Sequence, residues 1–412
     1  MVYCYFDNNL EDAFNCEYEV TNDELRIDVD FSDNSANIFQ ESFHSGDKLV
    51  RAKTITIIDN DAKTYIKTFY AFENKFQTFF EAPFVRTQKS YVAKIYFSAN
   101  SATELQKLDS NVELDNLMFF HECLDLYCIN KSRHIDNDDE YKQIQITLIR
   151  EENNDVFLAV RRNNIQTAFI SCHWKMLPKK NRITIDYKNI LKLQFKKRIP
   201  LSLICKYHDL MSCMFNLYSP TNTPLYDIKF TYQDTTYKFH HRHLLYKPSF
   251  KLSINKKLDI DLDKFIESYL NNVSIKHIET NLLNPFREKG KTFAEDAFLI
   301  NYRFIECNLK KDNNCWLESI LKENRKLINS LGINYNTKLH LFMETLRNHY
   351  AHEGYYIENH RLPIKKGNGK KKVVTDKIII GFSKITKALA YKVMLNKILS
   401  LNVSDANIMQ LI

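Results

Sequence analysis

Glycine and proline are scarce, at 7 and 8 positions in 412 residues. That scarcity speaks against Gly-rich loops that cradle phosphates and against long flexible linkers. No apolar run approaches the roughly 18 residues of a membrane-crossing helix, so no membrane partner is expected. The opening stretch MVYCYFDNNLEDAF has acids early and no apolar centre, and is not read as a secretory signal. Cysteine occurs nine times. An odd number with no regular spacing argues against a disulfide framework and fits reduced thiols in a cytoplasmic protein. The tightest metal-like cluster, His121-Glu-Cys123-x4-Cys128, lacks a second pair at zinc-finger spacing. Scattered core thiols are read there, and neither a metal nor another cofactor is expected.

What is present is ample core material. Hydrophobic residues make up 44% and aromatics 13%, with 28 Phe and 23 Tyr. The length predicts two domains or more. The formal charge of +8 favours a polyanionic partner without demanding one.

The first two hundred residues read as β. In LRIDVDF, Leu25, Ile27, Val29 and Phe31 alternate with polar residues. TITIID, VAKIYFSA, IQITLIR, DVFLAV, TAFISC and ITIDY behave alike, with Asn, Asp and Ser between them. Such strands predict an antiparallel sandwich or barrel. In PLSLICKYHDLMSCMFNLYSP the apolar spacing turns helical at Leu203, Tyr207, Leu210, Met214 and Leu217, and Pro220 closes the segment. PLYDIKFTYQD is a last strand. KFHHRHLLYKPSF, with His240, His241, Arg242 and His243, is read as a solvated connector. From about residue 258 the pattern predicts four or five helices. The expectation is therefore α+β: a β-rich domain over 1–250, with one helix near 200–218, and an all-α bundle over 251–412. HRLPIKKGNGKKKVVTDKIIIGF interrupts the bundle as a basic hairpin or loop.

NTKLHLFMETLRNHYAHEG draws attention. On a helix, Leu339, Phe342, Met343, Leu346 and Tyr350 fall within about 100° of arc, the width of a buried stripe. Asn336 or Thr337 can cap its start and Gly354 its end. Asn348 and His352, four apart, share the opposite face, and Arg347 lies on the flank with a chain long enough to swing over it. His349 turns back toward the core edge. Arg, Asn and His together suit phosphodiester cleavage without metal. RNA carries its own nucleophile, the 2′-hydroxyl. A neutral imidazole can take its proton, and an imidazolium can protonate the leaving oxygen. A guanidinium offers a planar fork to the phosphoryl oxygens as charge gathers there. One pair is few tools, and a two-fold dimer supplies a second. Lys365, Lys366, Lys370, Lys371 and Lys372 form the densest charge run, either holding RNA backbone or lying solvated.

Arg347-Asn348-x3-His352 late in a helical bundle resembles the HEPN ribonuclease signature. The β-rich front, the segment LICKYHDLMSCMFNLY, and YRFIEC followed by RNHYAHEG resemble the ApeA-type abortive-infection proteins. The resemblance implies a metal-independent HEPN endoribonuclease with Arg347, Asn348 and His352 as catalytic residues in a homodimer. It would cut cellular RNA in single-stranded loops, tRNA among the candidates, leave a 2′,3′-cyclic phosphate, and halt growth of infected cells. The front domain would be a sensor for a phage-derived trigger. Family members also carry an acidic residue in an early bundle helix, for which Glu306 is the nearest equivalent, though not read as catalytic. The alternative is a non-catalytic scaffold that binds a phage component or RNA and whose helical half only dimerises.

Overall fold

Alternation in the sequence becomes a closed barrel. The protein is described here by a computed structural model, which covers residues 2–7, 12–21, 24–31, 53–81, 84–125, 127, 133–138, 143–148, 155–161, 164–179, 182–219, 225, 227–241, 258–287, 293–310, 315–335, 338–352, 364–365, 371–372 and 376–412. The fold is mixed α+β. It divides into two compact units. The first holds Met1–Ala159, Asn164–His208 and Pro224–Lys251, and the second Val160–Asn163, Asp209–Thr223 and Leu252–Ile412. The pattern of the sequence places a single division at 250/251. The contacts also assign 160–163 and 209–223 to the second unit, so the helix near 200–218 is shared between the two.

In the first unit, β1 (Val2–Phe6), β2 (Phe14–Val20), β3 (Leu25–Phe31), β4 (Lys53–Asp59), β5 (Thr64–Glu81) and β6 (Phe84–Ala93) form the barrel. β4 pairs β1, β1 pairs β2, β2 pairs β3, β3 pairs β6, β6 pairs β5 and β5 pairs β4, all antiparallel. The ring therefore closes and leaves no edge among its members. Cys4, Phe6, Leu25, Ile27, Val29, Ile57 and Tyr91 fill it. Of the two expected architectures, the barrel is present in β1–β6.

β5 is long enough to serve twice. Through Tyr65, Ile66 and Lys67 it also pairs β7 (Ile95–Ala99). Beyond β7 an antiparallel sheet continues. After α1 (Ala102–Gln106) the chain supplies β8 (Glu113–Phe120), the separate hairpin β9 (Arg133–Asp138) and β10 (Gln143–Leu148), then β11 (Asp155–Leu158), β12 (Ile165–Lys179) and β13 (Arg182–Pro200). α2 (Ile204–Tyr218) follows, then β14 (Asp227–Tyr232) and β15 (Thr235–His241). The spatial order from β7 is β15, β14, β8, β13, β12, β11. One face is buried: Leu117, Phe119, Leu193, Ile228 and Phe230 have no exposure.

His240 and His241 end β15 and are not a solvated connector. His240 stacks on Tyr96 at 4.5 Å and 6°, with Nε2 2.8 Å from the Ser98 hydroxyl. Burial, helped by the charge of Lys238, pushes its pKa down to about 3. His243 and Arg242 lie outside the described residues. His121 Nδ1 accepts the Cys123 amide at 3.0 Å, so that nitrogen serves a turn; Cys128 lies outside the described residues.

The second unit is mostly helical: α3 (Leu262–Asn272), α4 (Ile275–Glu279), α5 (Ala294–Leu309), α6 (Trp316–Glu323), α7 (Arg325–Ser330), α8 (Leu339–His352), α9 (Asp376–Lys392) continued by a π-helical turn (Val393–Ile398), and α10 (Asp405–Leu411). Two stretches, 262–279 and 316–330, are each split into two helices, which raises the number above the four or five expected. The first breaks at Val273–Ser274, where the Ser274 amide donates to His277 Nδ1. The second breaks at Asn324, whose backbone leaves the helical region at φ −100°, ψ 20°. The unit is also not all-α, because β16 (Ile364–Lys365) pairs antiparallel with β17 (Lys371–Lys372). Within the interruption the described residues before α9 are these two paired strands, and its III run instead belongs to α9. Tyr269 on α3 donates to the Leu210 carbonyl at 3.1 Å, and Tyr218 to that of Ile260 at 2.9 Å, so residues 209–218 of α2 are tied into the helical core. α5 packs along α9 and touches α8. Among the described residues, no helix is long and apolar enough to cross a membrane.

Candidate functional site

The stripe on α8 is buried as its spacing requires. Leu339, Met343, Leu346 and Tyr350 are at most 9% exposed, while Phe342 is half-buried. The far face holds Leu341, Thr345 and Asn348, all exposed. His349 is buried, its ring edge-on to Tyr350 at 5.9 Å. Burial turns it inward, as its helical angle predicts.

Arg347 sits between these faces with its side chain 30% exposed. Four groups set its position. Nη2 donates to Glu306 Oε2 at 2.9 Å, across from α8 to α5. Nη1 donates to Asn348 Oδ1, also at 2.9 Å. The guanidinium carbon lies 6.0 Å from the centroid of the Tyr302 ring. The other oxygen of Glu306 takes Lys310 Nζ at 3.1 Å. The Glu306 carboxylate is thereby filled by two cations. Two of the guanidinium's five N–H donors are engaged, which orients the fork and leaves donors for an incoming anion.

Burial acts to raise the pKa of Glu306, but the Lys310 hydrogen bond and the charge and hydrogen bond of Arg347 outweigh it and hold the carboxyl below its ordinary range. Burial raises the Tyr302 phenol; the carboxylates of Glu344 and Glu306 add to the rise and Arg347 opposes it. Tyr302 is therefore a neutral ring under a cation.

Glu306 was legible as an acidic residue in an early helix, but its contact with Arg347 was not. Tyr302 and Lys310 were missed altogether. A signal for them exists: in YRFIECNLK, Tyr302, Glu306 and Lys310 stand at i, i+4 and i+8, one face of a helix. Nothing in the spacing says which neighbour that face will meet.

His352 is the last residue of α8, four after Asn348 and so on the same backbone face. Its imidazole lies outside the described residues, as do the proposed caps Asn336, Thr337 and Gly354. Of the lysine run, Lys365, Lys371 and Lys372 are placed by backbone in the β16–β17 pair. Lys366 and Lys370 lie outside the described residues. Among the described residues, no three His, Cys, Asp or Glu side chains gather as a metal-binding group. Comparison of the chain with protein-family models, curated proteins and solved structures gives no match.

Proposed function

We propose that this chain is a metal-independent endoribonuclease of the HEPN kind, acting as a cytoplasmic anti-phage abortive-infection effector. The observation that carries this reading is the fixed guanidinium: Arg347 is held over Tyr302 by Glu306 and Asn348, with His352 one helical turn beyond Asn348. In this reading the helical part of the second unit is the HEPN bundle and the barrel-containing unit is its sensor or restraint.

The RNA 2′-oxygen attacks the adjacent phosphorus as an imidazole removes its proton. The 5′-oxygen leaves with a proton from a second imidazole. The products are a 2′,3′-cyclic phosphate and a 5′-hydroxyl. Arg347 takes the charge that builds on the non-bridging oxygens. Each subunit brings one His352, so a second copy of the chain completes the set. Leu341, 51% exposed on the Asn348 face, supports contact between copies there. Unpaired loops are the preferred substrate, because a paired strand holds its 2′-oxygen out of line. Lys365, Lys366, Lys370, Lys371 and Lys372 would hold the RNA backbone.

Purified protein incubated with total RNA and EDTA should cut and leave cyclic phosphate ends. Arg347→Ala or His352→Ala should lose cutting by at least about 100-fold, with circular dichroism unchanged. Loss of wild-type cutting in EDTA overturns the metal-free mechanism. One observation favours a second reading, a dimerising scaffold without catalysis: the Arg347–Glu306 pair also works as an ordinary clamp between two helices. Phage protection that survives both substitutions would establish that reading.

A further inference from the structure

One register row crosses seven strands of the first unit's sheet. Phe157 on β11 stands opposite Phe169 on β12, and Phe169 opposite Lys192 on β13. Lys192 stands opposite Met118 on β8, and Met118 opposite Lys229 on β14. Lys229 stands opposite Lys238 on β15, and Lys238 opposite Ser98 on β7. Side chains alternate along a strand. The residues next to this row (Leu193, Leu117, Phe119, Ile228) have no exposure, so the core lies behind the sheet and the row faces away from it.

The row combines one open aromatic platform with cations. Phe157 is 70% exposed, and its ring centroid lies 5.6 Å from that of Phe169. Lys192 Nζ lies over Phe169 at 5.7 Å, and Lys229 Nζ over Phe120 at 5.1 Å. In the next row, Asp227 reaches Lys229 at 3.6 Å and Lys238 at 3.4 Å, so it offsets one of three positive charges. Both of those lysines keep more than a third of their side-chain surface exposed. Six strand spacings make the row about 29 Å long.

We infer that this face binds single-stranded nucleic acid, with an unpaired base stacked on Phe157 and phosphates drawn to Lys192, Lys229 and Lys238. Stacking on aromatics beside a cationic track is how single strands are held without regard to sequence. A duplex keeps its base faces stacked inside and has none to offer Phe157. A protein partner suits the row less, because lysine is depleted from the centres of protein interfaces. The inference stands apart from the ribonuclease reading and does not rest on it.

Fluorescence anisotropy on the full chain tests it, using a labelled oligothymidylate of about 15 nucleotides, near the upper end of a single-strand site. This probe lacks a 2′-hydroxyl and cannot be cut by the proposed chemistry. Phe157→Ala should weaken binding about 5- to 150-fold, the worth of one stacked base, and Phe157→Trp should restore it. Lys192→Ala should reduce the slope of log affinity against log salt by about 0.7. Thermal melts check that the variants fold. Three results overturn the inference: equal binding by Phe157→Ala and wild type, equal binding of the matching duplex, or displacement of the oligonucleotide by polyglutamate as readily as by unlabelled single strand.

Discussion

Glu306 decides how Arg347 is presented. Its folded carboxyl is held below the ordinary value by Lys310 and Arg347 acting against burial. A depressed carboxylate contributes stability above its unfolded pKa and loses it as pH falls through the folded pKa. Wild type should therefore melt higher than Glu306→Gln at neutral pH, and the gap in Tm should close in acid, below the ordinary carboxylate value near 4.5. A gap that stays constant from pH 7 to about pH 3 would mean the ion pair carries no such linkage. His240 works in a higher window. Burial holds its pKa at about 3 when folded, against an ordinary 6.5, so the unfolded chain binds the extra proton between those limits. Stability should fall on acidification from pH 6.5 downward, and His240→Phe, which keeps a ring against Tyr96, should flatten that part of a Tm–pH profile. These residues also mark a limit of sequence reading. HHRH in a polar stretch looks solvated, and only the pairing of β15 with β7 reveals that His240 lies on Tyr96.

At the scale of elements, α8 was nearly all legible, because a helix with an apolar stripe writes its own burial into its spacing. Met343 and Leu346 are fully buried and Asn348 exposed, as that spacing requires. Leu341 breaks the rule by standing out on the polar face. If copies of the chain meet there, Leu341→Glu should shift the protein toward monomer in sedimentation velocity and lower RNA cutting in parallel, while the melting temperature holds. A dimer that persists through that change moves the contact elsewhere. Elements that do double duty were harder to read. β5 runs 18 residues through TYIKTFYAFENKFQTFFE with no Gly or Pro to divide it, and a bulge at Asn74, between Glu73 and Lys75, marks its passage along β6. Ser274 inside an otherwise continuous apolar pattern was the one local sign that a helix stops and restarts. Period-two alternation named barrel and sandwich together, and the ring of strand pairings identifies β1–β6 as a barrel.

For the whole molecule, the two units trade segments along the chain. Asp209–Thr223 belongs with the helical unit although the barrel-containing unit's Asn164–His208 directly precedes it and Pro224–Lys251 directly follows. Its backbone receives the Tyr269 hydroxyl at Leu210, and its Tyr218 reaches back to Ile260. A fragment of residues 252–412 alone should therefore be unstable. Without 209–223, the buried Phe265 loses the Tyr218 ring and Tyr269 the Leu210 carbonyl, and the fragment should precipitate or bind a hydrophobic dye. Adding residues 205–223 as a separate peptide should restore part of its helical signal. A soluble, fully helical 252–412 fragment would show that the segment is dispensable.

That exchange of segments also sets a timetable on the ribosome. At roughly 5 to 20 residues per second, about two to nine seconds separate the emergence of Thr223 from that of Tyr269. Throughout that interval the nascent polypeptide carries an orphan helical arm whose mates have yet to emerge. A trigger factor or similar holdase that shields apolar arms should therefore crosslink to nascent chains stalled with residue 223 just outside the ribosome, and release them once α3 has cleared the exit tunnel.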